Sequence, residues 1–324
     1  MTDSTRLPAC IGFIGLGAMG KPMVINLVKK LSCGTKVFVH DVVEDSMKEL
    51  DASFPGVIMK CANAKEVTEL SDVVITMLPE GSHVKSVYLD AAVGIIAALS
   101  GLTTSKLLLD SSTIDTATSL YVKEQISNSS PLATFYDTPV SGGVLGAVNA
   151  TIAFFVGCSP SDPNLPRLTT LLQTMGSKVI PCGGPSLGLA AKLSNNYLSG
   201  IITIACAEAM DMGMRAGIEA DVLASVFAAG TAQNAICDIF NPVPGVCPKA
   251  PSSNGYQGGF RVQLMKKDVG LAVDMARRLD SKNILGATSL GVYTAASEAS
   301  DCKDLDSRVV YRYIGGREDW KRQE

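Results

Sequence analysis

Six residues constrain this chain more than any other stretch: Gly15-Leu16-Gly17-Ala18-Met19-Gly20. An apolar run rich in strand formers, residues 9–14, feeds straight into them. An amphipathic stretch over 22–31 follows, then a second strand pattern, KVFVH at 36–40, closed by Asp41. Strand, glycine turn, helix, strand and acid, with the acid 21 residues after the last glycine, is the fingerprint of a dinucleotide-binding βαβ unit. Gly15 permits the tight turn, Gly17 lets the backbone approach a pyrophosphate, and Gly20 lets helix and strand pack closely. The pyrophosphate would rest on free N–H groups at the helix start. Asp41 would accept from the ribose hydroxyls and repel a 2′-phosphate, which predicts NAD rather than NADP.

The α/β rhythm continues. Strands are expected at 57–61, 72–77, 107–110, 134–137, 151–156 and 178–180, about eight in all completing one sheet. Helices are expected at 65–70, 80–98, 115–126 and 168–175. Leu78-Pro79 and Ser111-Ser112-Thr113 follow strand ends, where loops touch a cofactor in open parallel sheets. The hydroxyls at 111–113 can equally cap the next helix. His83 reads as a solvated helix residue. Ser141-Gly142-Gly143 offers a hydroxyl and bare N–H groups suited to a carboxylate or phosphate.

A different pattern begins near Cys182. Residues 183–213 are small or apolar with few charges, and Lys192 is the only charge between 182 and 207. A helix there would run roughly 40 Å, long enough to join two domains, and an all-round apolar helix is a buried one. A buried lysine either snorkels to the surface or is a desolvated amine able to trade a proton near neutral pH. Asn196, four residues on, shares its face. The uncharged run is short of the ~20 residues a bilayer needs. Beyond it the chain reads as helical, at 221–227, 264–279 and 284–300. The Pro- and Gly-rich stretch 241–259 is expected to be a lid or a subunit-contact loop. Lys267, at a helix start and followed by Asp268, could reach cofactor or substrate.

Bulk properties narrow the function. A chain of 324 residues, 47% hydrophobic, suits two domains with their own cores. We place them at 1–183, a Rossmann-like NAD-binding domain, and at 184–324, all-helical. A net charge of −3 gives no basic footprint for nucleic acid. Nine cysteines without a C-x-x-C pair and two histidines indicate neither a metal site nor a disulfide framework. The cysteines read as reduced intracellular thiols, and no membrane partner is expected. Residues 1–8 carry no secretory or transit pattern.

Together these residues resemble the β-hydroxyacid dehydrogenases. The shared signatures are the glycine turn with Pro22-Met23, Asp137-Thr138-Pro139-Val140-Ser141-Gly142-Gly143, Gly183-Gly184-Pro185 leading through Gly188 to Lys192 and Asn195-Asn196, and Lys267-Asp268 with Gly270-Leu271-Ala272. Narrower matches point to the 3-hydroxyisobutyrate dehydrogenase branch: Met77-Leu78-Pro79, Asp110-Ser111-Ser112-Thr113-Ile114-Asp115, Asn241-Pro242-Val243-Pro244-Gly245-Val246, Asn254 with Tyr256-Gln257-Gly258-Gly259-Phe260, and Asp304-Leu305-Asp306-Ser307-Arg308-Val309. His83, where the family carries an Asn, and residues 231–240, which lack its Cys-Trp-Ser-Ser-like run, depart from the pattern.

The resemblance implies a second domain like the C-terminal domain of 6-phosphogluconate dehydrogenase. It implies NAD-dependent oxidation of a small hydroxy acid, 3-hydroxyisobutyrate in valine catabolism, by hydride transfer. Lys192 is then the general base and Asn196 its aid. Ser141, Gly142 and Gly143 bind the substrate. Gly15, Leu16, Gly17, Ala18, Met19, Gly20, Asp41, Leu78, Pro79, Thr113 and Lys267 hold the cofactor, with no metal. A homodimer or homotetramer in the mitochondrial matrix is implied, the cytoplasm being the alternative. The rival readings are an NADPH-dependent reductase of tartronate or succinic semialdehyde, and a non-catalytic NAD-binding regulator.

Overall fold

A computed structural model describes residues 7–320. Its first part alternates strand and helix: β1 (Cys10–Ile14), α1 (Gly20–Lys29), β2 (Lys36–His40), α2 (Glu44–Ser53), β3 (Ile58–Lys60), α3 (Ala64–Glu69), β4 (Val73–Thr76), α4 (Gly81–Leu89), β5 (Lys106–Asp110), α5 (Thr116–Ser129) and β6 (Ala133–Asp137). The six strands form one sheet in the order β3-β2-β1-β4-β5-β6, every pair parallel. Apolar residues face both sides of this sheet. Val73, Ile75, Leu107 and Leu109 enter one core, while Val74 and Leu108 enter the other. A parallel sheet covered on both faces needs such continuous apolar runs, and its order reverses beside β1, where dinucleotides bind in this architecture.

The next elements correct two expectations. β7 (Val140–Ser141), β8 (Ile152–Val156) and β9 (Gly176–Pro181) form a separate three-stranded sheet rather than completing the first. β7 runs antiparallel to β8 and β9 parallel to it, with α6 (Gly143–Val148) and α7 (Leu165–Leu172) between them. Nine strands among the described residues therefore replace the eight or so expected. The helix expected over 80–98 ends at Leu89. Asp90 breaks it, because its carboxylate accepts from the N–H groups of Ala92 and Val93 at 2.8 and 3.0 Å, and only a short 3-10 turn, Ile95–Ala98, follows. A side chain bonding its own downstream backbone competes with the helix ladder.

The long helix α8 (Leu187–Arg215) has 29 residues, about 43 Å. Its start is held by an acid from far upstream. Ser186, at φ 63°, donates its N–H to Asp137 Oδ1 at 2.7 Å, and Leu189 N–H reaches Oδ2 at 2.9 Å. A carboxylate on free helix N–H groups is favourable. Burial nonetheless raises the Asp137 pKa, against those backbone donors. Gly188 is required here, since a Cβ would sit 2.3 Å from Phe155 O and 2.8 Å from Asp137 Oδ2.

The chain divides into compact units at Met1–Lys192 and Leu193–Glu324. The division of these units falls within α8, because the first turns of the helix are tied to β6 and Leu189 joins the first unit's core. The helix is also not buried all round. Leu198 and Met212 are 59% and 71% exposed, and Ser194, Asn195, Ala205 and Glu208 lie along the same exposed side. Small residues made the sequence look uniformly apolar, although they need not be covered.

The second unit holds the rest of α8 with α9 (Ala220–Ala229), α10 (Ala235–Ile239), α11 (Val262–Arg278), α12 (Gly286–Glu298) and α13 (Val310–Tyr313). The loop 241–259, expected to be a lid or subunit contact, is packed into this unit. Val243 and Tyr256 are fully buried, Tyr256 OH donates to Pro242 O at 3.0 Å, and Ser252 Oγ donates to Asn241 O at 2.6 Å. Asp306 secures its end, accepting from Phe260 N–H at 2.6 Å and Arg308 Nη1 at 2.8 Å. No helix among the described residues is long and apolar enough to cross a membrane.

Candidate active site

The glycine turn leaves β1 at Gly15, whose φ of +95° suits glycine. A Cβ there would lie 2.3 Å from Met77 O, and one on Gly20 would lie 1.9 Å from Gly15 O. Gly17 differs: a Cβ on it meets nothing within 4 Å. That glycine preserves space rather than packing, which suits a phosphate approaching the backbone. Gly17 and Ala18 are exposed, Met19 half-buried and Leu16 buried, with α1 starting just behind them. Leu16 N–H donates to Asp41 Oδ2 at 2.5 Å, and Val43 N–H to Oδ1 at 2.7 Å. Asp41 thus stands beside the turn, and a carboxylate retains further lone pairs for ribose hydroxyls. These residues fit a dinucleotide.

Behind the neighbouring loops lies a buried polar network. Leu78 N–H donates to Ser112 Oγ at 2.8 Å, and Ser112 Oγ to Asp110 Oδ1 at 2.5 Å. Thr76 Oγ1 donates to the same oxygen at 2.8 Å and lies 3.1 Å from Tyr88 OH. Ser111 Oγ is 2.9 Å from Thr138 Oγ1. The helix after this segment is capped instead by Asp115, which accepts from Thr118 N–H at 2.8 Å. Ser111 and Ser112 are therefore internal braces for the strand ends, while Thr113 is half-buried and Pro79 exposed on the loops themselves.

Asp110 is fully buried, and burial lifts its carboxyl to about 6 from 3.8. Its Oδ2 has no hydrogen-bond partner among the described residues. A carboxyl raised on folding is stabilising in its protonated form, so its contribution is complete below about pH 4 and is lost as pH rises through about 6. Asp110→Asn cannot ionise. Its stability minus that of the wild type should rise by on the order of 2 kcal/mol between about pH 4 and about pH 7.5. Denaturant titrations at the two pH values check this; a pH-independent difference refutes it.

Ser141 ends β7, Gly142 caps α6 at φ 136°, and Gly143 follows at φ 64°. A Cβ on Gly142 would press on Ile152 at 3.1 Å, whereas Gly143 faces open space. Lys192, on α8, is 7% exposed. In the second unit, Asn196 is 6% exposed and donates through Nδ2 to Asp268 Oδ2 at 2.6 Å. Its Oδ1 accepts from Asn195 Nδ2 at 3.1 Å. Lys267 Nζ lies 3.3 Å from Asp268 Oδ1. Asp268 is thus the partner that orients Asn196, a role the sequence assigned to no residue, although Asp268 stands in one of the shared signatures. His83 is exposed on α4, 3.5 Å from its neighbour Ser82. Among the described residues, no three His, Cys, Asp or Glu side chains cluster to hold a metal ion.

Parallel sheet order, open glycine turn and helical second unit together define a nicotinamide-dinucleotide-binding oxidoreductase. Comparison with known proteins agrees. Residues 10–184 match the NAD-binding domain of 6-phosphogluconate dehydrogenase. Residues 187–314 match the NAD-binding domain of NADP-dependent 3-hydroxyisobutyrate dehydrogenase. The chain is 38% identical to the mitochondrial 3-hydroxyisobutyrate dehydrogenase of Mus musculus, over 94% of this chain and 86% of that one. It is 36% identical to the Pseudomonas aeruginosa 3-hydroxyisobutyrate dehydrogenase, over 95% and 99%. The solved Mycobacterium tuberculosis 3-hydroxyisobutyrate dehydrogenase with L-serine superposes at a TM-score of 0.84, with 34% identity over 94% of this chain and 99% of that one. The chain belongs to the 3-hydroxyisobutyrate dehydrogenase family.

Proposed function

We propose that the protein oxidises 3-hydroxyisobutyrate to methylmalonate semialdehyde, with NAD in preference to NADP, as a step of valine breakdown. The observation that carries this reading is Lys192, an amine 7% exposed on a helix whose start is fixed by Asp137. A lysine amine is a group that can exchange a proton with the substrate hydroxyl. Lys192 Nζ takes that proton as the carbinol carbon is oxidised and returns it in the reverse direction. Asn196 is oriented by Asp268, and its remaining N–H holds the substrate oxygen. Ser141 Oγ and the N–H groups of Gly142 and Gly143 bind the substrate carboxylate, and this anchoring fixes the carbinol for reaction. A bound dinucleotide supplies the hydride acceptor. The glycine turn with Leu16, Ala18 and Met19, the loops carrying Leu78, Pro79 and Thr113, and Lys267 would hold it.

Asp41 supports the choice of NAD, since a 2′-phosphate would meet its carboxylate. The names of the relatives support the substrate, and the word mitochondrial in several of them supports the matrix as its compartment. A homodimer or homotetramer built through the helical unit completes the reading. Of residues 1–8, read as carrying no secretory or transit pattern, 1–6 lie outside the described residues.

Absorbance of reduced cofactor tests the whole. 3-Hydroxyisobutyrate with NAD should give the highest kcat/KM in a panel of small hydroxy acids with either cofactor. Asp41→Ala should narrow the preference for NAD by at least tenfold, about 1.4 kcal/mol. Faster turnover with NADP before mutation refutes the cofactor assignment. Faster turnover of tartronate or succinic semialdehyde with NADPH identifies a reductase instead, and binding without turnover identifies a regulator.

A further inference from the structure

Two of the buried thiols of the second unit lie side by side, and the proposed reaction uses neither. Cys206 lies on α8 and Cys237 on α10, 4% and 6% exposed, with their sulfurs 3.5 Å apart. Asn234 aims at this pair. Its Oδ1 accepts from the N–H groups of Ile236 and Cys237 at 2.9 and 3.0 Å, which fixes which end of the amide is oxygen. The NH2 end must then face the other way, and it lies 2.7 Å from Ala232 O and 3.1 Å from Cys237 Sγ. Cys237 thus has an amide donor on one side and a thiol on the other. Hydrogen bonds from Cys206 and Asn234 pull its pKa down to about 7 despite burial, and the same partnership raises that of Cys206. A lowered pKa marks the attacking member of a thiol pair.

We propose that Cys206 and Cys237 form a reversible disulfide under peroxide-class oxidants, tying α10 to α8. The Cys237 thiolate attacks one oxygen of hydrogen peroxide. The O–O bond breaks, hydroxide leaves, and Cys237 becomes a sulfenic acid. The Cys206 sulfur then attacks that sulfur, the S–O bond breaks, and the oxygen departs as water with the Cys206 proton. Two thiols lose two electrons and one peroxide gains them. The sulfurs must close from 3.5 Å to about 2 Å, a shift within reach of a five-residue helix with exposed chain on both sides, at 228–233 and 238–240. Local opening of such a segment admits a small oxidant. Cys247, whose thiol donates to Asp238 O at 3.3 Å, is engaged elsewhere.

The full chain is treated with hydrogen peroxide, alkylated under denaturing conditions and digested without reduction. We expect a peptide linking Cys206 to Cys237, about 2 Da lighter than its two parts for the two hydrogens removed. The nine alkylatable thiols should fall by two, and dithiothreitol should restore them. In Cys206→Ser the reaction should stop at the sulfenic acid, trapped on Cys237 by dimedone. Oxidation of the exposed Cys33 without the link, a link to Cys247 instead, or failure of dimedone to label Cys237 in the folded variant overturns the proposal. The wild-type peptide map stands whether or not the variant folds.

Discussion

Lys192→Ala is expected to lower kcat for 3-hydroxyisobutyrate by about 10²–10⁴-fold, the range that a positioned general base supplies. NAD affinity should change little, because the glycine turn and Asp41 lie on other elements. Two features make the test sharp. The side chain is buried, so surface hydration cannot replace it, and the start of its helix is held by Asp137 rather than by Lys192 itself. Lys192→Arg should fold yet fail to rescue activity, since a guanidinium does not give up its proton in this pH range. A merely structural cation would be rescued by arginine. Near wild-type turnover in Lys192→Ala would remove the base assignment, and steady-state kinetics with a separate NAD titration decides.

The second large effect contrasts two glycines of one turn. In Gly20→Ala the added Cβ would sit 1.9 Å from Gly15 O and 3.1 Å from Phe13 Cε1. Both neighbours are fixed in the β1–α1 junction, so backbone must move, and the variant should lose stability together with NAD binding. In Gly17→Ala the Cβ meets no protein atom within 4 Å. That variant should keep its thermal midpoint and lose NAD affinity at least tenfold, about 1.4 kcal/mol, because only the incoming pyrophosphate needs the space. Calorimetric titration beside thermal unfolding separates the two. Wild-type NAD affinity in Gly17→Ala would mean that the dinucleotide does not pass over this turn.

Asp137 and Asp268 share a logic. Each is an acid 1% exposed that never needs to meet a ligand in order to matter. Asp137 holds the start of the helix bearing Lys192, and Asp268 turns the amide of Asn196. Asp110 does similar work for Ser112 and the Leu78 backbone. The residues proposed to touch cofactor and substrate are therefore braced by buried carboxylates within each unit, and burial raises that of Asp110 to about 6.

Much of this was legible in the chain alone. The strand, the glycine turn and Asp41 are local, and steric limits on φ with the two-residue period of a strand write themselves into consecutive residues. A run as long as α8 announces itself by composition, and Lys192 stands out in it because charge is costly where apolar residues crowd. Tertiary structure decided the rest. Residues 152–156 and 178–180 form strands in either reading, but which sheet they join depends on pairing between distant segments. The covered side of α8 depends on what packs against it. The bond from Asn196 to Asp268 spans 72 residues of sequence, that from Asp137 to Leu189 spans 52, and the two thiols meet across 31. Periodicity says which face of an element is apolar; it carries no record of which buried polar group will find which partner, because that choice is made only when the faces close.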